Sequence, residues 1–185
     1  MEHIIMKSLK LASLVGSAMV ACSIGSGAWA GTNTGSLSVT SSVAKTCSVS
    51  TTSALAFGAY DPTAATALSG TGSVSLKCTK GSTGITIDLD AGAHAVGSQR
   101  KMLGGTSSDN LNYGITQPAT TTPWTSCAGS TVWGSTVGGS VYTPSGVTWS
   151  AAAAQAFTVC GSVPAAQDVS VDGSYTDTVI VTVNF

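Results

Sequence analysis

Apolar and polar residues alternate at every second position in several stretches of this chain, most clearly in the last one. In residues 173–185, Val179, Val181, Val183 and Phe185 fall on one face, and Ile180, Thr182 and Asn184 fall on the other. β-Branched residues dominate and no Pro or Gly follows Gly173, so the pattern predicts a strand. The sequence ends on that strand. Its far edge is expected to find a partner earlier in the chain or on another molecule, because an unpaired edge exposes a row of backbone donors and acceptors. The same period recurs in 72–78 (Val74, Leu76, Cys78), in 85–89 (Ile85, Ile87, Leu89) and through Leu111, Tyr113 and Ile115. Residues 43–49, 141–149 and 156–159 are further strand candidates. Residues 55–62 form a short apolar piece closing in a turn, and 91–108 and 117–139 read as loops. Residues 31–40 alternate weakly, with Gly35, Leu37 and Val39 in phase. The small-residue run 151–154 is too short to stand alone as a helix.

Ser, Thr, Gly, Ala and Val dominate the composition, which suits either a disordered chain or an all-β one; the repeated alternation decides for the second. About seven short strands separated by turn signals predict a single β-sandwich of immunoglobulin-like size. Residues 1–30 are predicted to be a signal peptide. Lys7 and Lys10 form a basic flank, 11–24 an apolar run, and Ala28-Trp29-Ala30 the small-residue cleavage pattern. The run is short for a membrane span. A rival reading takes Val20-Ala21-Cys22 as a lipoprotein site that would acylate Cys22.

Charge is sparse. Beyond residue 30 the bases are Lys45, Lys77, Lys80, Arg100 and Lys101, against Asp61, Asp88, Asp90, Asp109, Asp168, Asp172 and Asp177. No basic cluster could neutralise a run of phosphates, so no nucleic-acid partner is expected. Four cysteines remain after the signal: Cys47, Cys78, Cys127 and Cys160. An exported chain meets an oxidising compartment, so disulfides are the first reading, with three pairings possible. Cys47 and Cys78 each lie in phase with a strand's apolar face, which favours their pairing and leaves Cys127 to Cys160. No close Cys spacing points to a metal.

Candidate chemistry is thin, and no catalytic residue, cofactor or metal is expected. His94 reads as a solvated loop residue, although a hydrolase depending on it is one rival. No nucleophile elbow accompanies it. Asp88 and Asp90 alternate outward on one strand and read as a solvated face. Trp124, Trp133 and Trp149 read as packing aromatics, with a sugar-stacking platform as the alternative.

The ordered set of features resembles the spore coat protein U domain across essentially everything after residue 30. The resemblance rests on Cys47, then Leu55-Ala-Phe57-Gly58-Ala-Tyr60-Asp61-Pro62, then Gly72-Ser-Val-Ser-Leu-Lys-Cys78-Thr79. It continues through Arg100-Lys101-Met102, Leu111-Asn-Tyr113 and Trp133-Gly134, and closes on Gly173 to Phe185. Two departures stand out: Cys160 precedes Gly161 where Tyr is usual, suggesting an added Cys127–Cys160 bridge, and the central strand reads Leu111-Asn-Tyr113-Gly-Ile115. Members in Gram-negative bacteria are typically subunits of archaic chaperone–usher pili. The resemblance implies an incomplete immunoglobulin-like sandwich lacking its last strand and completed by donor-strand complementation. It implies an arm over 31–42, with Gly35, Leu37 and Val39 as donor residues, and a domain over 43–185. Val179, Val181, Val183 and Phe185 would form the acceptor strand. The implied partners are identical or related pilin subunits, a periplasmic chaperone and an outer-membrane usher. The implied role is a shaft subunit at the cell surface serving attachment and biofilm formation, with a minor or tip-proximal subunit binding carbohydrate or abiotic surfaces as the alternative.

Overall fold

The computed structural model describes residues 30–185, so the predicted signal peptide and Cys22 lie outside the described residues, apart from Ala30. The chain divides into two units, Met1–Ser41 and Ser42–Phe185. In the first, residues 30–41 carry no regular secondary structure, and Leu37 and Val39 are 87% and 85% exposed.

The second unit is all-β, with two antiparallel sheets in an immunoglobulin-like arrangement. Its strands are β1 (Cys47–Ala56), β2 (Leu68–Cys78), β3 (Thr86–Leu89), β4 (Arg100–Gly104), β5 (Asn110–Thr116), β6 (Gln155–Val163), β7 (Tyr175–Thr176) and β8 (Val181–Asn184). Six make one sheet in the order β1-β2-β6-β5-β4-β7, and β3 pairs with β8 in a second. Every pairing between them is antiparallel. The alternating residues place their apolar faces inward: Val74 and Leu76 of β2, Ile87 and Leu89 of β3, Leu111, Tyr113 and Ile115 of β5, and Phe157 and Val159 of β6 are all buried. Trp133 and Tyr142 fill the interior from the long connection between β5 and β6, with ring centroids 5.1 Å apart.

Several elements depart from the pattern reading, among them the following. Residues 141–149 do not form a strand. Only Tyr142 bridges, to Ile87, before Pro144 and the left-handed Gly146 (φ 71°) turn the chain away. β6 runs longer than 156–159 because Gly161, without a side chain, lets Leu55 and Phe57 lie on it; an added Cβ would stand 2.7 Å from both. β4 falls inside the predicted loop 91–108. Its pattern was hidden by Arg100, which is buried although charged: Nε donates to Asp90 O at 3.0 Å, and Nη2 donates to Leu89 O at 3.0 Å and Asp90 O at 2.6 Å. Burial lowers the Arg100 pKa, while nearby carboxylates oppose that shift. Gly134 (φ 134°) sits against this side chain, where a Cβ would come within 2.6 Å of Nη2.

Candidate functional site: an apolar groove beside the last strand

The predicted strand over 173–185 is two short strands in different sheets. Tyr175–Thr176 pairs with β4, and Val181–Asn184 pairs with β3. The crossover between them is held by side chains that sequence spacing does not connect. Asp177, with 3% of its side chain exposed, accepts from the His94 backbone N at 3.1 Å and from Tyr113 Oη at 2.6 Å, and its Oδ1 lies 3.1 Å from His94 Nδ1. Burial, and then the hydrogen bond to Asp177, raise the Tyr113 pKa far above the ordinary phenol value, so the hydroxyl stays a donor. Asp90 Oδ1 accepts from Gly92 N and Ile180 N, each at 2.9 Å.

These contacts correct two readings. His94 is half-buried and paired to a carboxylate 83 residues away rather than solvated. Asp88 and Asp90 are not a solvated face either: Asp88 Oδ1 accepts from Ser135 N at 2.9 Å, Asp88 also accepts from Ser135 Oγ, and Asp90 holds the crossover.

Backbone phase then fixes what β8 presents. In an antiparallel ladder, residues whose N–H and C=O bond one neighbour alternate with residues whose groups point the other way. Ile87 N donates to Tyr142 O at 2.9 Å and Tyr142 N to Ile87 O at 2.8 Å, so Ile87 turns its backbone groups away from Val183. Asp90 N donates to Ile180 O at 3.1 Å, in the same phase. The backbone groups of Ile180, Thr182 and Asn184 therefore face β3, and those of Val179, Val181 and Val183 face the opposite edge. Among the described residues, no strand pairs with that edge.

Beside it lies an apolar groove made of two joined cavities of about 390 and 640 Å³. Both are walled by Leu55, Phe57, Met102 and Tyr175; the first adds Val179, Val181 and Asp177, and the second adds Val163, Val169 and Val171. Of the four residues expected on the acceptor strand, Val179, Val181 and Val183 are half-buried against the core. Val183 and Phe185 line neither cavity, and Phe185 follows the end of β8 and is 50% exposed. Sequence reading missed Leu55, Phe57, Met102 and Tyr175 as groove walls. The apolar residues at 55 and 57 were the one available signal.

The cysteines pair as Cys47–Cys78 and Cys127–Cys160. The first joins directly opposed positions of β1 and β2. The second ties the β5–β6 connection to buried Cys160. The three tryptophans are interior: Trp133 is 0% exposed, Trp124 7% and Trp149 6%, the last two packed on Phe157. A sugar-stacking platform made of them is excluded. Among the described residues, no group of His, Cys, Asp or Glu is arranged to hold a metal ion, and no helix is long and apolar enough to cross a membrane.

The family model for the Spore Coat Protein U domain matches residues 33–182. No curated protein matches the chain.

Proposed function

The chain belongs to the Spore Coat Protein U domain family, a structural family of chaperone–usher pilus-type subunits rather than of enzymes, and we propose that it builds a pilus shaft by strand donation. The observation that carries this reading is the edge formed by Val179, Val181 and Val183. Their backbone groups point away from β3 beside an apolar groove, while Leu37 and Val39 stand exposed on an arm of strand-like alternation. A strand laid along that edge satisfies the backbone groups. Side chains entering the groove supply the apolar burial, at about 1.5–3 kcal/mol for each of Leu37 and Val39.

The arm and the groove are different surfaces, so the contact is head-to-tail and the product is a filament. Before assembly a periplasmic chaperone lends a strand to the same edge, and an outer-membrane usher orders the exchange. Residues 1–30 direct export, 31–42 form the donor arm and 43–185 form the receiving domain. The fibre serves attachment and biofilm formation at the cell surface. The alternative of a tip-proximal subunit binding sugars through Trp124 and Trp133 loses its support, because both rings are buried.

Deletion of residues 31–40 tests the proposal. The shortened subunit should still bind its chaperone and should no longer polymerise. Unchanged fibres would overturn strand donation.

A further inference from the structure

We propose that the two ends of the domain are matched docking surfaces, with the lysine-bearing end of one copy seated on the carboxylate-bearing end of the next. This inference rests on the strand-donation reading and adds to it an electrostatic contact outside the groove.

Strand register sorts the charges. Cys47 opposes Cys78 and Ser48 opposes Lys77. Thr79 N donates to Thr46 O at 2.9 Å, so the pairing extends outward, and Lys45 and Lys80 are the next positions on the two chains. Lys45 Nζ donates to Thr83 O at 3.4 Å, in the connection between β2 and β3. Three of the five bases beyond residue 30 therefore gather at one end of the sheet. The segments that meet there, 42–48, 77–86 and 150–155, contain no Asp or Glu. Like charges at neighbouring positions repel. Among the described residues the one ion pair is His94 with Asp177, away from this end. Lys45 and Lys80 are exposed.

The carboxylates gather at the opposite end. Ala56 opposes Thr71 and Leu68 opposes Val163, so the connection 57–67, with Asp61, and the segment after β6, with Asp168, lie there. The β4–β5 turn joins them. Asp109 Oδ2 accepts from Ser170 N at 2.8 Å, and Asp172 Oδ2 accepts from Thr106 N and Ser107 N, each at 2.8 Å. Lys101, opposite Asn112 of β5, is the base nearest this end, so carboxylates outnumber bases there.

The arm makes the two ends neighbours. Lys45 follows Val39 by six residues, which span at most about 20 Å. A copy whose Val39 occupies a groove therefore brings its lysines to one mouth of that groove. The second cavity is walled by Pro62, Ser170 and Asp172, so one mouth is the carboxylate end itself. At the other mouth β8 runs beside Thr86, next to the receiving copy's own lysines. Entry there would set lysines against lysines, which is unfavourable.

The test uses the full chain and its sheared fibres, with the rate of subunit loss in urea, an uncharged denaturant, as the readout. Raising sodium chloride from about 0.05 M to about 0.5 M shortens the screening length about threefold. Wild-type fibres should then lose subunits at least about threefold faster. Lys45→Asp with Lys80→Asp, or Asp61→Lys with Asp168→Lys, sets like charges in contact. Each reversal should speed loss at least about threefold at low salt, and added salt should slow it. All four changes together restore opposite signs and should return the rate towards wild type. That combined chain also decides the matter if a single reversal forms no fibre. A wild-type rate indifferent to salt, or a combined chain no better than either reversal, overturns the docking of ends. Binding of the wild-type chain to phosphatidylglycerol vesicles, lost in K45D/K80D while fibre loss is unchanged, would assign the lysines to an anionic membrane and overturn it too. If deletion of 31–40 abolishes fibres while salt and charge reversal do nothing, the docking alone is wrong. If the deletion leaves fibres intact, strand donation is wrong, and the combined chain judges the ends by itself.

Discussion

Asp177 shows how much one side chain can organise. Its carboxylate joins the crossover before β8 to the loop carrying His94 and to Tyr113 of β5. Tyr113→Phe keeps the ring and removes one donor to a buried charge. It should cost about 1.5–3 kcal/mol in urea unfolding, with little change in the β signal of the folded state. Asp172 is a different case, on the surface. Backbone N–H groups of Ser107, Thr106 and Ser174 hold its pKa far below 3.8, and hydrogen bonding from Ser170 lowers that of Asp109. A carboxylate with a depressed folded pKa contributes stability that is fully present above its unfolded value and is lost as pH falls towards the folded one. Acid titration should therefore destabilise the protein progressively below about pH 4. Asp172→Asn should flatten that limb by lowering the urea midpoint evenly across pH 7 to 5 while changing it least at the acid end, as read by urea midpoints at each pH.

At the scale of elements, the bridge between Cys127 and Cys160 spans a connection that the strand pattern leaves unsupported. The two cysteines are 33 residues apart, so the chain-entropy model gives about 3–4 kcal/mol for the closed loop. The Cys127→Ser, Cys160→Ala double variant should lose about that much in denaturant unfolding. The Cys47–Cys78 bridge, of separation 31, should be worth a similar amount. Strands with a clean period of two (β2, β3, β5) were legible in the sequence because each has one wet and one dry face. β4 was not, because its inward Arg100 is satisfied by carbonyls of residues 89 and 90, a tertiary arrangement with no local signature. The last strand was legible as extended chain but not as a crossover, since alternation is the same whichever sheet a residue pairs with. The valines facing the groove could be read from their phase. The opposite wall, formed by Leu55 and Phe57 over Gly161, depends on a close approach that only coordinates reveal.

At the scale of the whole molecule, an edge and an arm that differ in surface make a polar polymer, and polarity has a measurable signature. A subunit with Leu37→Asp and Val39→Asp carries its changes on exposed positions, so its fold should be untouched. It can still accept a strand and cannot give one, which makes it a terminator of one end only. Mixed into wild type at about one part in twenty, it should cut mean fibre length to about twenty subunits, because each incorporation closes a growing chain once. Mean length should scale inversely with the dose in electron micrographs, and every shortened fibre should carry the variant at a single end. A self-complementary contact between identical patches would behave otherwise: it would close pairs without making a filament, and doping would change yield rather than length. A length that does not respond to dose would exclude head-to-tail strand donation, whatever the register of the arm.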